Sequence, residues 1–412
     1  MRKKLPLFEA IAVIIGTIIG AGVIGIPFVF AQAGFLTGIV VLLVLNAALI
    51  IMRLMVGEVV LRTSSPHQLT GYTEHYLGWW LKQAQALVLV TGILGTLLAY
   101  MVAQGDILYA LFPFTIPWWP EGVSPAMFWS LLFYVLFGGL FVKGLDTVKR
   151  VELVVSLLIF VVVIVISIFS MSEVSASHLV SWDPSRFFLP FGVVLFASAG
   201  MVSVPEAREA LRKQGRESLM FKAILWGGLI PPLLYLIFAF LVVGVAGSGT
   251  DPVATVSLSE LGQHVLIAVN IFAFFAVGTS FLTLAIGVKE ILKFDYTIPS
   301  RWASTFILAV PLVGFFFGLR DFIEIISIVG SLTVGVNGLL AVAAWWQARR
   351  LGDRQPEFTL PRWFGAVSSV FLVIVFSLGL VFAFVPDPAD QAESVEDAAT
   401  AGDTQEIGVE DN

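Results

Sequence analysis

GTIIGAGVIGIP, residues 16–27, lies inside the first long apolar run of the chain and carries glycine at 16, 20, 22 and 25 and proline at 27. Glycine makes a helix entropically expensive and proline removes a backbone donor, so a helix is weak here. In hydrocarbon an unpaired amide or carbonyl costs several kcal/mol, and a break survives only where protein or a water-filled cavity receives the freed groups. Two readings follow. Small residues four apart, as at Gly16 and Gly20, let membrane helices pack closely. A break at Gly20 to Gly22 would instead put the positive N-terminus of a second half-helix at mid-membrane, where it attracts a carboxylate.

The rest of the chain makes this a membrane question. Its 412 residues are 58% hydrophobic and 13% charged, with a mean hydropathy of +0.95. A span needs about 20 apolar residues, and eleven are predicted: 8–32, 35–59, 83–110, 124–143, 149–170, 187–206, 220–246, 262–289, 302–319, 321–346 and 363–386. With the N-terminus inside, twenty of the twenty-three Lys and Arg fall on inside segments, Arg186 and Arg320 fall outside, and Arg53 lies near the inner end of span two. This bias sets a cytoplasmic N-terminus, residues 1–7, and an outside C-terminus. The first run is too long for a signal-peptide core, so no cleavable signal is expected. Residues 387–412 are acidic and small, with no apolar face, and read as a disordered extracytoplasmic tail.

A second interruption decides between the two readings of the first. Span six contains FGVVLFASAGMVSVPEA, residues 191–207, with Ser198, Ala199 and Gly200 at its centre. Each break is followed by a proline five residues after its last glycine, Gly22 to Pro27 and Gly200 to Pro205. Spans one and six take equivalent places if five helices make one repeat, and paired broken helices in two halves mark a transporter binding site. The fold expected is therefore an all-α membrane protein with a five-plus-five inverted repeat. Residues 8–170 form the first repeat, 187–346 the second, and 363–386 a peripheral eleventh helix.

Span eight adds hydroxyls at Thr279 and Ser280. With carbonyls freed near Gly16 to Gly20 they would offer oxygen ligands to sodium, or they would simply bond the carbonyl one turn back in their own helix. Carboxylates at membrane depth are costly and functional by default. Asp106 and Glu206 are the candidates for gating or proton coupling, with Glu58 and Glu324 behind them. Arg53 and Glu58 are expected to pair at the inner end of span two, where water reaches them. The basic link 207–221 reads as helical and amphipathic, lying on anionic lipid or covering an inner gate. Trp79, Trp80, Trp118, Trp119, Trp345 and Trp346 fall at span ends and read as interfacial anchors.

GTIIGAGVIGIP at 16–27, FGVVLFASAGMVSVPE at 191–206 and TSFLTLAIGVKEILKFD at 279–295 together resemble signatures of the hydroxy and aromatic amino acid permeases. That group belongs to the amino-acid/polyamine/organocation superfamily. The likeness runs in order over residues 8–386. It implies that an amino acid lies against the two breaks, at Gly20, Ala21 and Gly22 and at Phe196, Ala197, Ser198 and Gly200, and that Gly16, Thr279 and Ser280 belong to an ion site. The hydroxyl pair matches a sodium site of some superfamily members, whereas bacterial members of the closer group are regarded as proton symporters. Thr283 stands where close relatives tend to have glycine, which loosens the inference to one substrate.

The function expected is ion-coupled symport of an aromatic or small hydroxy amino acid by alternating access, in a prokaryotic inner membrane, with a proton or sodium as coupling ion and no cofactor. A non-transporting sensor on the same fold and a channel are the alternatives; mid-span polar residues are too few for a continuous channel path. With no cysteine, and with histidines scattered at 67, 75, 178 and 264, neither thiol catalysis nor a zinc cluster is expected. No group of nucleophile, base and orienter suggests an enzyme. Partners are limited to the substrate and lipid, without nucleic acid.

Overall fold

A computed structural model describes residues 5–114, 124–143, 171–294 and 296–383. Span five, Trp118 and Trp119, and the acidic tail lie outside the described residues. The first apolar run is α1 (Leu5–Ile18), a single 3-10 turn (Ala21–Gly25) and α2 (Ile26–Ala33). The two parts are bent by 53° at a break where Gly20 is extended. Pro27 falls in the first turn of α2, where a missing N–H costs nothing because that amide has no helical partner.

There follow α3 (Phe35–Leu61), α4 (Leu69–Leu77), α5 (Trp79–Leu111) and α6 (Pro125–Lys143). Span six is again two pieces, α7 (Leu189–Ala197) and α8 (Ser203–Arg212), separated by residues 198–202. Then come α9 (Met220–Ala246), α10 (Gln263–Phe294), α11 (Ser300–Phe316), α12 (Phe322–Leu351) and α13 (Arg362–Phe382). Among the described residues, seven helices are long and apolar enough to span a membrane, and the bent α1–α2 pair makes an eighth.

In hydrocarbon the helix is the form that satisfies its own backbone, so packing rather than hydrogen bonding decides how these helices associate. One layer groups α1, α2, α3, α8 and α9; a second groups α5, α6, α10 and α12. The α7 half-helix lies mainly on α12, which also carries α13. The outer face of α6 shows Val135 and Val142, more than half exposed, as expected of a lipid-facing surface. Within α9, Pro231 and Pro232 are consecutive, which removes the amide partners of the Gly227 and Gly228 carbonyls.

The structure corrects the reading of span six. The second half-helix continues to Arg212 instead of ending at 206. The sequence puts its charges on lipid or over an inner gate, but Arg208 is 2% exposed and points inward. Its guanidinium donates to Glu217 Oε1 (2.9 Å), the Tyr72 hydroxyl (3.2 Å) and the Thr63 carbonyl (2.8 Å). Glu217 also takes both Nη atoms of Arg354, at 2.9 and 2.7 Å, so the link 207–221 is partly a buried ionic joint.

Glu58 is corrected as well. It is fully buried and accepts from Arg62 (2.8 Å), Arg349 (3.1 Å), Trp345 Nε1 (2.8 Å) and the Leu360 amide (3.1 Å). Its partners are thus Arg62 and Arg349, not Arg53. Trp345, expected at the interface, is fully buried by this bond, whereas Trp79, Trp80 and Trp346 are exposed.

Candidate functional site

The two breaks meet at the centre of the helix assembly. Gly22 faces Phe196 and Ala197 so closely that an added Cβ would lie 2.7 Å from the Ala197 Cα. Gly200 packs on α1, where a Cβ would lie 2.4 Å from Ile18 Cγ1. Only glycine permits this approach of one interrupted backbone to the other. Ala21, Ala197 and Ser198 are buried, while Gly20 and Phe196 are half-buried. The seven residues proposed for substrate are therefore brought into one place.

Each break frees carbonyls, and side chains of the neighbouring helices take them up. The hydroxyl of Tyr235, on α9, donates to Ile18 O at 3.1 Å and to Ala197 O at 2.8 Å, the last residues of α1 and α7. Arg53, on α3, donates through Nη2 to the Ser198 carbonyl. Within the span-six break, Gly200 O accepts from the Ser203 hydroxyl at 2.6 Å. The Tyr100 hydroxyl, on α5, would stand 3.6 Å from a Cβ on Gly20. Thus α3, α5 and α9 all send a polar group to the breaks.

Sequence reading missed Tyr100 and Tyr235 and put Arg53 too close to the inner boundary. Arg53 is fully buried, and its location was obscured by Glu58, a nearer and more obvious partner. For Tyr235 a signal existed: it follows the consecutive prolines 231 and 232, which mark a third weakened helix.

The ion-site residues are placed less closely. Gly16 lies inside α1, one turn before the break, and Thr279 and Ser280 lie mid-way along α10, half-buried. That helix packs against the 21–25 turn. The Thr279 hydroxyl donates to Ala276 O at 3.1 Å, which leaves its lone pairs available. One turn on, Thr283 Oγ1 is buried and unpartnered.

Asp106 and Glu206 stand apart from the breaks and from each other. Asp106 follows Tyr100 by six residues on α5, about 9 Å along the helix, and has Asp251 and Asp321 as its acidic neighbours. Glu206 is exposed in the first turn of α8. A cavity of about 270 Å³ lies elsewhere, between the α4–α5 region and α10, lined by Thr70, Lys82, Gln83, Ile291 and Tyr296 among others. It does not include the break residues.

The broken pair, the extra final helix and the chain's length can be set beside known proteins. The family model described as the tryptophan/tyrosine permease family matches residues 3–385. The chain belongs to the tryptophan/tyrosine permease family. This permease is 25% identical over 391 residues to tyrosine-specific transport system 1 of Haemophilus influenzae, covering 90% of this chain and 94% of the relative. It is 22% identical over 347 residues to glutamine transporter 2 of Aliivibrio fischeri, covering 80% and 86%. The solved structure of MhsT in complex with L-phenylalanine superposes with a TM-score of 0.61 at 18% identity, covering 93% of this permease and 98% of MhsT. The permease therefore has the inverted-repeat transporter fold, and it is a membrane transporter, not an enzyme.

Proposed function

We propose that this permease carries an amino acid across the membrane by ion-coupled alternating access, with the substrate held between the two breaks. The observation that carries the reading is the direct apposition of Gly22 with Phe196 and Ala197, which puts half-helix ends of both repeats on one small volume. The first amides of a helix lack internal partners and bear positive partial charge. The amides of the Ala21–Gly25 turn suit an α-carboxylate, and the carbonyl ends at residues 197–200 suit an ammonium group. Phe196 supplies an apolar wall. Relatives named for tyrosine and glutamine fit an aromatic or small polar side chain in the same place.

In this mechanism no bond is made or broken. The substrate neutralises the half-helix ends, and the layer of α1, α2, α3, α8 and α9 then rocks against the α5, α6, α10 and α12 layer. The contact between Glu217, just before α9, and Arg354, just past α12, parts when the inner path opens. The N-terminus lies in the cytoplasm of a bacterial plasma membrane and the C-terminus outside. A coupling cation, proton or sodium, adds about 2.3 kcal/mol per charge at 100 mV. Thr279 and Ser280 are the oxygen ligands if it is sodium.

Uptake of labelled tryptophan, tyrosine, glutamine, serine and alanine into proteoliposomes, with proton and sodium gradients imposed separately, tests the proposal. Accumulation under one gradient supports it and names the ion. Saturable binding without accumulation under either gradient would replace it with a sensor. If sodium drives uptake, Thr279→Ala with Ser280→Ala is expected to raise the sodium concentration needed for half-maximal rate.

A further inference from the structure

We propose that the cavity of about 270 Å³ between the α4–α5 elbow and the end of α10 binds the headgroup of a phosphatidylethanolamine lipid. Helices α5 and α10 run in opposite directions, since Gln104 reaches Phe274 while Gln83 reaches Tyr296. Both walls therefore change character in the same sense. On α5, Lys82 and Gln83 stand at the mouth and Ala86 and Leu89 line the depth, about 10 Å farther along the helix. On the other wall Tyr296, past the helix end, is at the mouth and Ile291 is deeper. Trp79 and Trp80, more than half exposed at the start of α5, put the mouth at headgroup depth. Leu87, 65% exposed on the same helix, lies in hydrocarbon. A lining that is charged at headgroup depth and apolar below it matches a lipid.

The charges at the mouth select the headgroup. Lys82 Nζ donates to Glu74 Oε2 at 2.6 Å, and the two side chains are 27% and 43% exposed, so both still meet solvent. Thr70, one turn before Glu74 on α4, lines the same cavity. An ammonium has three donors and can hold a carboxylate and a phosphate oxygen together. A phosphate seated on Lys82 stands close to Glu74, however, and like charges repel. A headgroup that brings its own ammonium resolves the conflict by pairing with Glu74. Phosphatidylethanolamine carries both charges and N–H donors. Phosphatidylglycerol lacks the cation, and phosphatidylcholine lacks the N–H.

The wall beyond α10 is held in a fixed shape. The Tyr296 hydroxyl donates to Gln83 Oε1 at 2.6 Å, and the Ile298 amide donates to Leu292 O at 2.9 Å. Between them Thr297 has a φ of 55°, the one positive value at a non-glycine among the described residues. A β-branched residue rarely takes that conformation, and it persists where the surroundings impose it, as at ligand clamps. The strain keeps Tyr296 at the cavity. Nothing in this site touches the two breaks, so it stands whether or not they hold substrate.

The test follows the unfolding temperature of the delipidated full-length protein in detergent. Short-chain phosphatidylethanolamine, phosphatidylglycerol and phosphatidylcholine are titrated in turn, and then free glycerophosphoethanolamine, which has the charges without the chains. Phosphatidylethanolamine is expected to give a saturable rise at a roughly two- to fivefold lower concentration than the other two lipids, the difference that one half-exposed ion pair makes. The free headgroup is expected to be much weaker than the lipid. Glu74→Gln should bring phosphatidylethanolamine and phosphatidylglycerol to equal effect, and Ala86→Phe, which fills the cavity, should remove the saturable rise. If Ala86→Phe does not fold, Glu74→Gln, at a half-exposed position, decides alone. An unchanged lipid preference in that variant, or equal stabilisation of the wild type by all three lipids, would overturn the proposal. A free headgroup as effective as the lipid would overturn it too, by assigning the cavity to a soluble ligand.

Discussion

Gly22 and Ala197 touch backbone to backbone: a Cβ on the glycine would stand 2.7 Å from the Cα of the alanine. Residues 175 positions apart in the chain are thereby joined at the two interruptions, and Gly22→Leu has nowhere to go. The variant is expected to insert into the membrane and to lose uptake by more than about tenfold, since misplacement by 1 Å in a positioned site can cost that much. Retained uptake with a normal half-saturation concentration would mean that the breaks do not hold substrate.

Tyr235→Phe keeps the ring of a fully buried residue and deletes a hydroxyl that serves Ile18 O and Ala197 O. Leaving buried carbonyls short of a donor costs about 1–3 kcal/mol. The variant should unfold at a lower temperature, and its uptake should fall more than that loss of stability explains, because the carbonyls concerned border the proposed site.

Glu58→Ala strips Arg62, Arg349, Trp345 and the Leu360 amide of one shared acceptor. Breaking a buried pair by removing one partner costs about 3–5 kcal/mol. Thermal unfolding in detergent is expected to show a large fall, and Glu58→Gln a smaller one, since the amide oxygen still accepts. A stability equal to wild type in both would show that water replaces the carboxylate freely.

Burial pushes the Asp251 carboxyl above its ordinary value of 3.8, although the Val253 amide donates to it. With the folded-state value raised, the folded protein binds a proton that the unfolded chain has released, so this residue favours folding less as pH climbs from about 3.8 through the raised value. Asp251→Asn, whose side-chain oxygen can still accept from Val253, should therefore unfold at a higher temperature than wild type at pH 7. The two should converge below the ordinary aspartate range. A constant difference at both pH values would assign the effect to packing.

Most helices were legible because hydrocarbon length and charge spacing leave little choice: the seventh predicted span, 220–246, coincides with α9 (Met220–Ala246). The two breaks were legible because glycine and proline recur at one spacing in both. What sequence concealed was the pairing of charges. Arg53 and Glu58 look like natural partners five residues apart, but five residues on a helix put two side chains on different faces. Each then answers to a different neighbour, Ser198 for Arg53 and Trp345 with Arg349 for Glu58. Likewise Arg208 and Glu209 read as part of a basic amphipathic link on the lipid surface or over an inner gate, yet Arg208 is drawn inward by Glu217 and Thr63. Such contacts depend on the closed helix assembly, which no local pattern encodes.

The Glu58 cluster also bears on the order in which the chain is made. Trp345 follows Glu58 by 287 residues and Leu360 by 302, so the second helix enters the bilayer long before those donors exist. Arg62, four residues on, is the partner available from the start. It can escort the carboxylate through biogenesis until the last helices arrive. Residues 345–360 then act as a late fastener, and a chain released before they emerge is left with a carboxylate that only one arginine accompanies.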